Sequence, residues 1–197
     1  DDPGNRRFHA QPNACPLCGP QISLLNWDKS GAVQHAPLSS VNALREAAHR
    51  LARGDVLAIK GLGGYHLACD ALNEEAVRQL RQRKHREAKP FALMARDLAT
   101  VQQLCRVNEA EAELLQTYRR PIVLLAQQPA CPVAPGVAPA SGTLGMMLPY
   151  TPLHHVLLHH FAEAIPADRP AVLVMTSGNL SEEPIAYQDD DAQARLR

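Results

Sequence analysis

The sequence predicts an α/β fold, on three observations. Short apolar runs of strand length recur, among them DVLAIK (55–60), FALMA (91–95), PIVLLA (121–126) and PAVLVMT (170–176). Segments with apolar residues at helical spacing lie between them, so strands alternate with helices. Helix-starting residues stand at the joins: Asn73, Asp97, Asn108 and Pro152.

Taken in order, residues 1–38 carry little periodicity, five prolines and two cysteines, and read as a loop-rich metal-knuckle segment and linker. The patterned domain is expected over 39–197. Ser39 or Ser40 caps a first helix that should bury Val41, Leu44, Ala48 and Leu51 and stop before Gly54. DVLAIK is then a strand, GLGGYH a glycine turn and HLACDA (66–71) a second strand. Asn73, followed by Glu74 and Glu75, opens a helix to about Arg83. FALMA is a buried strand. Asp97 and Asn108 cap two further helices, and PIVLLA is a strand. QQPACPVAPGVAPASG (127–142) is longer than most internal loops, which points to a functional role. TLGMMLP (143–149) is a strand, and Pro152 starts a helix over PLHHVLLHHFAEA. PAVLVMT is the last strand, SGNLSEEP a turn, and QDDDAQARLR the opening turns of a helix.

The 197 residues allow one ordinary domain with a real core plus a short appendage. The formal net charge is zero, so no global field draws the chain to nucleic acid or an anionic membrane. An anionic ligand must therefore be held by a local basic cluster. No apolar run is long enough to span a bilayer, and no secretory leader opens the chain. The polar start reads as if cut from a longer protein. Five scattered cysteines argue against a disulfide framework and for a reducing, cytoplasmic setting.

Four motifs carry chemistry. CPLCG places Cys15 and Cys18 at the spacing of half a zinc knuckle, with a glycine freeing the turn. The remaining ligands would precede Asp1 or include His9, so the structural zinc site is incomplete in this stretch. The redox reading of this CxxC fails, because no strand leads into it and no helix starts on it. RQRKHREAK (81–89) is the one dense basic cluster, where a helix gives way to a strand. Basic side chains converging at a strand edge suit a phosphate chain, although a solvated helix end would look the same.

KGLGGYH (60–66) has neither Rossmann nor Walker spacing. Its glycines let backbone approach a ligand, and a plain tight turn is the alternative. TSGNLSEEP (176–184) follows the most apolar strand, where small hydroxyl and amide groups are well placed to bind a ligand. Its Ser181 to Glu183 stretch could instead begin a helix. His154, His155, His159 and His160 share a helix without an HExxH pattern or an obvious third ligand, and read as packing and surface residues.

In order along the chain, RRFHAQPNACPLCGP, KGLGGYHLACDA, RKHREAKPFALM, RRPIVLL, LGMMLPYTPLHHVLL and TSGNLSEEPI resemble the HypF family of hydrogenase maturation carbamoyltransferases. The first resembles the last zinc knuckle of that family, and the rest its YrdC-like domain. The resemblance implies a twisted mixed sheet of the YrdC-like type with a concave, positively charged face. In the wider family a Lys-x-Arg pair and a Ser-x-Asn motif line the nucleotide site. They match Lys84 with Arg86 and Ser177 with Asn179, which the resemblance makes the catalytic set. Lys89 and Thr176 would support them. Lys60, Gly61, Gly63, Gly64, Tyr65 and His66 would cradle carbamate.

The implied chemistry joins carbamate, derived from carbamoyl phosphate, to AMP from ATP with Mg²⁺, for transfer to the C-terminal Cys of HypE. Two alternatives stand beside it. One is a threonylcarbamoyl-AMP synthase or double-stranded-RNA-binding YrdC module, and the other a zinc-ribbon interaction module. KGLGGYH departs from the Thr/Glu-rich turn of the threonine-using enzymes, which argues against threonine as substrate.

Overall fold

The computed structural model describes Gly4 and residues 20–27, 33–35, 39–86, 88–179 and 183–196. The chain divides into two compact units, Asp1–Leu44 and Arg45–Arg197. In the first, β1 (Leu25–Trp27) and β2 (Val33–His35) form an antiparallel hairpin with Leu25 opposite His35. Three-residue strands are too short to leave a period of two in the sequence, which is why they go unread there. The Ile22 amide donates to the Ser40 hydroxyl at 3.0 Å.

Helix α1 (Ser40–Arg53) buries Ala43, Leu44, Ala47, Ala48 and Leu51. Val41 was expected in that stripe and is instead 56% exposed. Each residue turns 100° about the axis, and the observed stripe is centred between Ala47 and Ala48, leaving Val41 at its edge in the first turn.

The second unit is built on β3 (Leu57–Lys60), β4 (Tyr65–Asp70), β5 (Ala92–Ala95), β6 (Val123–Ala126), β7 (Thr143–Met147) and β8 (Val172–Ser177). They form one mixed sheet in the order β3-β4-β8-β5-β7-β6. Only β5 and β7 run parallel, and every other pair is antiparallel. The last strand in sequence therefore sits in the middle of the sheet, which accounts for its unbroken apolar character.

One face of the sheet presents alternate residues: Leu67 and Cys69, Leu93 and Ala95, Val123 and Leu125, Leu144 and Met146, Val172 and Val174. Against it pack α2 (Glu74–Lys84), α3 (Leu98–Leu104) and α4 (Glu109–Gln116) through Val77, Leu80, Val101, Leu104 and Leu115. Their starts are capped as the sequence predicts. Asn73 Oδ1 accepts from the Ala76 amide, Asp97 Oδ1 from Thr100, and Asn108 forms a capping box with Glu111. Helix α5 (Pro152–Ala164) begins on Pro152 with Thr151 as its cap, and α6 (Asp189–Arg195) follows.

The 127–142 loop is mostly a structural part. Ala134, Val137 and Ala138 are buried in the core, and a single 3-10 turn, Pro135–Val137, lies against α2. Its Gly136 and Val137 carbonyls also accept from Arg81.

Candidate functional site

The end of α2 shapes the site. His85 adopts the left-handed conformation, φ 49°, and the amides of His85 and Arg86 return to the carbonyls of Gln82 and Arg81. This is the Schellman closure, which normally selects glycine at the position His85 fills. It reverses the chain so that Lys84 and Arg86 both face the end of β8.

Lys84 is buried. Its Nζ donates to the Ser177 carbonyl at 2.6 Å, the Asn179 carbonyl at 2.8 Å and Asn179 Oδ1 at 3.0 Å. Three acceptors on one turn match the three donors of an ammonium. The Ser177 hydroxyl donates to Asn179 Oδ1 at 2.7 Å, and Asn179 Nδ2 donates to the Glu183 carbonyl at 2.5 Å. Burial, with Arg86 nearby, pulls the Lys84 pKa down to about 8.

Arg86 donates from Nε to the Lys89 carbonyl at 3.0 Å, from Nη2 to the Pro90 carbonyl at 2.6 Å, and from Nη1 to Thr176 Oγ1 at 3.4 Å. Its guanidinium stacks over the Phe91 ring at 4.9 Å, and Arg81 stacks over the same ring at 4.6 Å. Arg81 in turn binds the carbonyls of Gly136, Val137, Arg86 and Lys89. In the sequence, Arg81 stands at the start of the basic cluster and Phe91 at the start of FALMA, neither with a role of its own. They are the frame that fixes Arg86, drawn from the last turn of α2 and the residue just before β5.

The expected residues Lys84, Arg86, Thr176, Ser177 and Asn179 thus meet in space. Lys89 is exposed on the chain just beyond. The Lys60–His66 turn borders the same place through the sheet, because His66 lies opposite Ser177 in the β4–β8 register. The Gly178 amide donates to the Tyr65 carbonyl at 2.7 Å.

Within that turn the three glycines differ. Gly64 has φ +141°, and a Cβ there would lie 2.7 Å from the Ala186 carbonyl oxygen. A Cβ on Gly61 would meet the His66 ring at 2.8 Å, whereas one on Gly63 would have nothing within 4 Å. Within this turn a Cβ on Gly64 or Gly61 would collide with its surroundings, whereas one on Gly63 would face open space. Lys60 pairs with Asp189 of α6, and the Tyr65 hydroxyl donates to the same carboxylate at 2.9 Å. Burial and that contact push the Tyr65 phenol up to about 12.

Behind His66 stand two residues the sequence reading left as packing or passed over. The Tyr150 hydroxyl lies 3.0 Å from His66 Nε2, and the His154 ring meets the Tyr150 ring edge-on at 4.5 Å. His154 is fully buried, and neither ring nitrogen has a hydrogen-bond partner among the described residues. Burial, with His66 and His155 nearby, pulls its pKa down to about 4. Farther along α5, exposed His159 and Glu163 cluster with buried His160. Cys15 and Cys18 lie outside the described residues, as do Ser181 and Glu182. No described helix is long and apolar enough to cross a membrane.

This mixed sheet, with a lysine clamping the turn after its central strand, defines a YrdC-like domain. The sequence model of the Sua5/YciO/YrdC family, described as telomere recombination, matches residues 49–197, and that of the HypF finger matches 1–25. The chain is 48% identical to carbamoyltransferase HypF of Rhodobacter capsulatus over 198 residues, covering all of this chain and 24% of that protein. It is 30% identical to human threonylcarbamoyl-AMP synthase over 194 residues, covering 95% of this chain and 65% of that protein.

The structure of T. kodakarensis HypF superposes with a TM-score of 0.86 at 42% identity, over the whole chain and 24% of that protein. Full-length HypF in its phosphate- and nucleotide-bound form gives 0.82 at 43% identity, over 99% of this chain and 23% of that one. P. abyssi Sua5 complexed with L-threonine gives 0.66 at 21%, over 80% and 45%, a likeness of fold. The chain belongs to the Sua5/YciO/YrdC family and, within it, to the HypF family. It spans about a quarter of the length of the HypF proteins it matches.

Proposed function

We propose that the Arg45–Arg197 unit makes carbamoyl-adenylate. Carbamate, derived from carbamoyl phosphate, attacks the α-phosphorus of ATP bound with Mg²⁺. A P–O bond forms to the carbamate oxygen, the bond to the bridging oxygen breaks, and pyrophosphate leaves with its electron pair. The carbamoyl group then passes to the C-terminal Cys of HypE in [NiFe]-hydrogenase maturation. The observation that carries this reading is the Lys84 clamp on the Ser177–Asn179 turn with Arg86 alongside. A buried positive charge and a stacked guanidinium set around one strand end suit the charge that builds on a phosphoryl group in an in-line displacement.

Each residue has a distinct task in this scheme. Lys84 holds the turn and contributes its charge, and Arg86 supplies the remaining directional donors. Thr176, Ser177 and Asn179 offer small polar contacts, with Lys89 in support at the rim. The Lys60–His66 turn cradles carbamate, with Gly63 giving the open approach and Lys60 exchanging Asp189 for the anion. The finger match and the thiols of Cys15 and Cys18 support a structural zinc ion near the start of the chain, since thiolates are preferred donors for zinc.

The test is carbamoyl-phosphate-dependent ATP–pyrophosphate exchange in a full-length protein carrying this sequence. Arg86→Ala should lower it roughly a hundredfold, the scale of losing one transition-state donor. A wild-type rate in the folded variant excludes the role. Threonine with bicarbonate should not replace carbamoyl phosphate. Efficient threonylcarbamoyl-AMP formation would instead support the tRNA-modification reading, which draws on the identity to the human synthase.

A further inference from the structure

We infer that Tyr150 and His154 are positioning residues that act through His66, locking its imidazole in one neutral tautomer at the acyl end of the site. The inference rests on the carbamoyl-adenylate reading above. Tyr150 lies between β7 and α5 and His154 in the first turn of α5, more than eighty residues from His66 in sequence (a separation of 84 for Tyr150). The three rings nevertheless form one edge-to-face cluster. Centroids are 4.5 Å apart for Tyr150 and His154, 6.2 Å for His66 and His154, and 6.5 Å for His66 and Tyr150.

The lock follows from hydrogen-bond accounting. The Tyr150 hydroxyl has one proton to donate, and His66 Nε2 is its partner among the described residues. With the half-buried Tyr150 hydroxyl as the donor, Nε2 accepts. The ring proton of a neutral His66 must then sit on Nδ1. Burial lowers the His66 pKa and raises that of Tyr150, so both groups stay neutral near pH 7. The ring also lies against the space that a Cβ on Gly61 would fill, with the His154 ring set at a steep angle to it. His66 therefore carries a preset Nδ1–H donor, and it stands opposite Ser177 in the register. Directly opposed residues of an antiparallel pair share a sheet face, so this donor lies on the side of the sheet that carries the Ser177 side chain.

His154 supplies the second observation. A buried imidazole with neither nitrogen partnered among the described residues is destabilising relative to a satisfied or apolar group. It has no contact with solvent, so it cannot meet a ligand without rearrangement. What it does touch is the Tyr150–His66 pair. A ring of that size there keeps the edge contact with both partners. A fixed donor beside the turn suits a small, planar acyl group, whose oxygen accepts a hydrogen bond in one orientation.

The experiment is a double-mutant cycle in full-length protein, read by carbamoyl-phosphate-dependent ATP–pyrophosphate exchange and by ATP binding. Tyr150→Phe keeps the ring and removes only the hydroxyl. It should raise the KM for carbamoyl phosphate about tenfold while the Kd for ATP stays within about twofold, as expected for one lost hydrogen bond at the acyl end. His66→Ala should cost more. Adding Tyr150→Phe to His66→Ala should cost nothing further, because the hydroxyl acts only through that ring. His154→Phe should hold or raise the melting temperature while raising the same KM. An unchanged KM in Tyr150→Phe, or effects of Tyr150→Phe and His66→Ala that add, would overturn the inference while leaving carbamoyl-adenylate formation intact. Absence of exchange in the wild type would overturn that reaction, and this inference with it.

Discussion

Lys84 combines a fully hydrogen-bonded ammonium with deep burial. Its ammonium is buried against the 177–179 turn, and its pKa falls to about 8. In the unfolded chain the group titrates near 10.4. Between those values the unfolded state holds a proton that the folded state has lost, so this contribution to stability rises with pH across that window. Below pH 8 the buried charge costs stability. A bound polyphosphate reverses the preference, because it favours the charged form. ATP affinity should therefore weaken as pH climbs above 8, by roughly tenfold at pH 9 if the ligand holds the proton in place. Titration of ATP binding from pH 7 to 9, with Lys84→Met as the reference lacking this dependence, checks it. A flat profile in the wild type would mean that the ammonium charge plays no part in binding. Such a residue pairs lower stability with function, as sites commonly do.

At the scale of elements, the glycines of the Lys60–His66 turn differ in what a side chain would meet. Gly64 sits at φ +141°, where L side chains are rarely found, and its missing Cβ makes room for Ala186. Gly64→Ala should cost about 1–3 kcal/mol and lower the melting temperature. Gly63→Ala should leave stability within about half a kcal/mol, as for a substitution that meets nothing, and raise the KM for carbamoyl phosphate. Thermal melts and kinetics on the two variants separate the roles, and equal stability losses would refute the division. Much of this scale was legible in the sequence. Asn73, Asp97 and Asn108 announced their helices because a cap is local chemistry, and the strands β3 to β8 announced themselves as apolar runs. The closure after α2 was not legible, since a histidine fills the place where glycine is the recognisable sign. The frame of Arg81, Phe91 and the 136–137 carbonyls stayed hidden for another reason: it joins segments some 55 residues apart by contacts to backbone, which carry no residue code.

The whole molecule bears on the choice between nucleotide and nucleic acid. The formal charge is zero, so attraction to polyanions must come from local arrangement. In sequence, RQRKHREAK looks like a basic patch that would serve RNA as well as ATP. In the fold its strongest members turn inward: Lys84 onto the 177–179 turn, Arg81 onto four carbonyls, and Arg86 onto the Lys89 and Pro90 carbonyls. Arg83, His85 and Lys89 keep exposed side chains. Double-stranded RNA is held largely by phosphate and 2′-hydroxyl contacts spread over about 16 base pairs, which requires many outward cations along a surface. A compact inward cluster suits a single triphosphate. The expected result is ATP binding that persists at 150 mM salt, with no measurable double-stranded RNA binding at micromolar protein. Each phosphate neutralised on an RNA duplex would add roughly 0.7–0.9 to the slope of log affinity against log salt. Titrations of both ligands across 50–200 mM salt read that slope directly. An RNA complex with a slope of four or more would show an extended basic face at work, and would move the assignment toward an RNA-binding YrdC module.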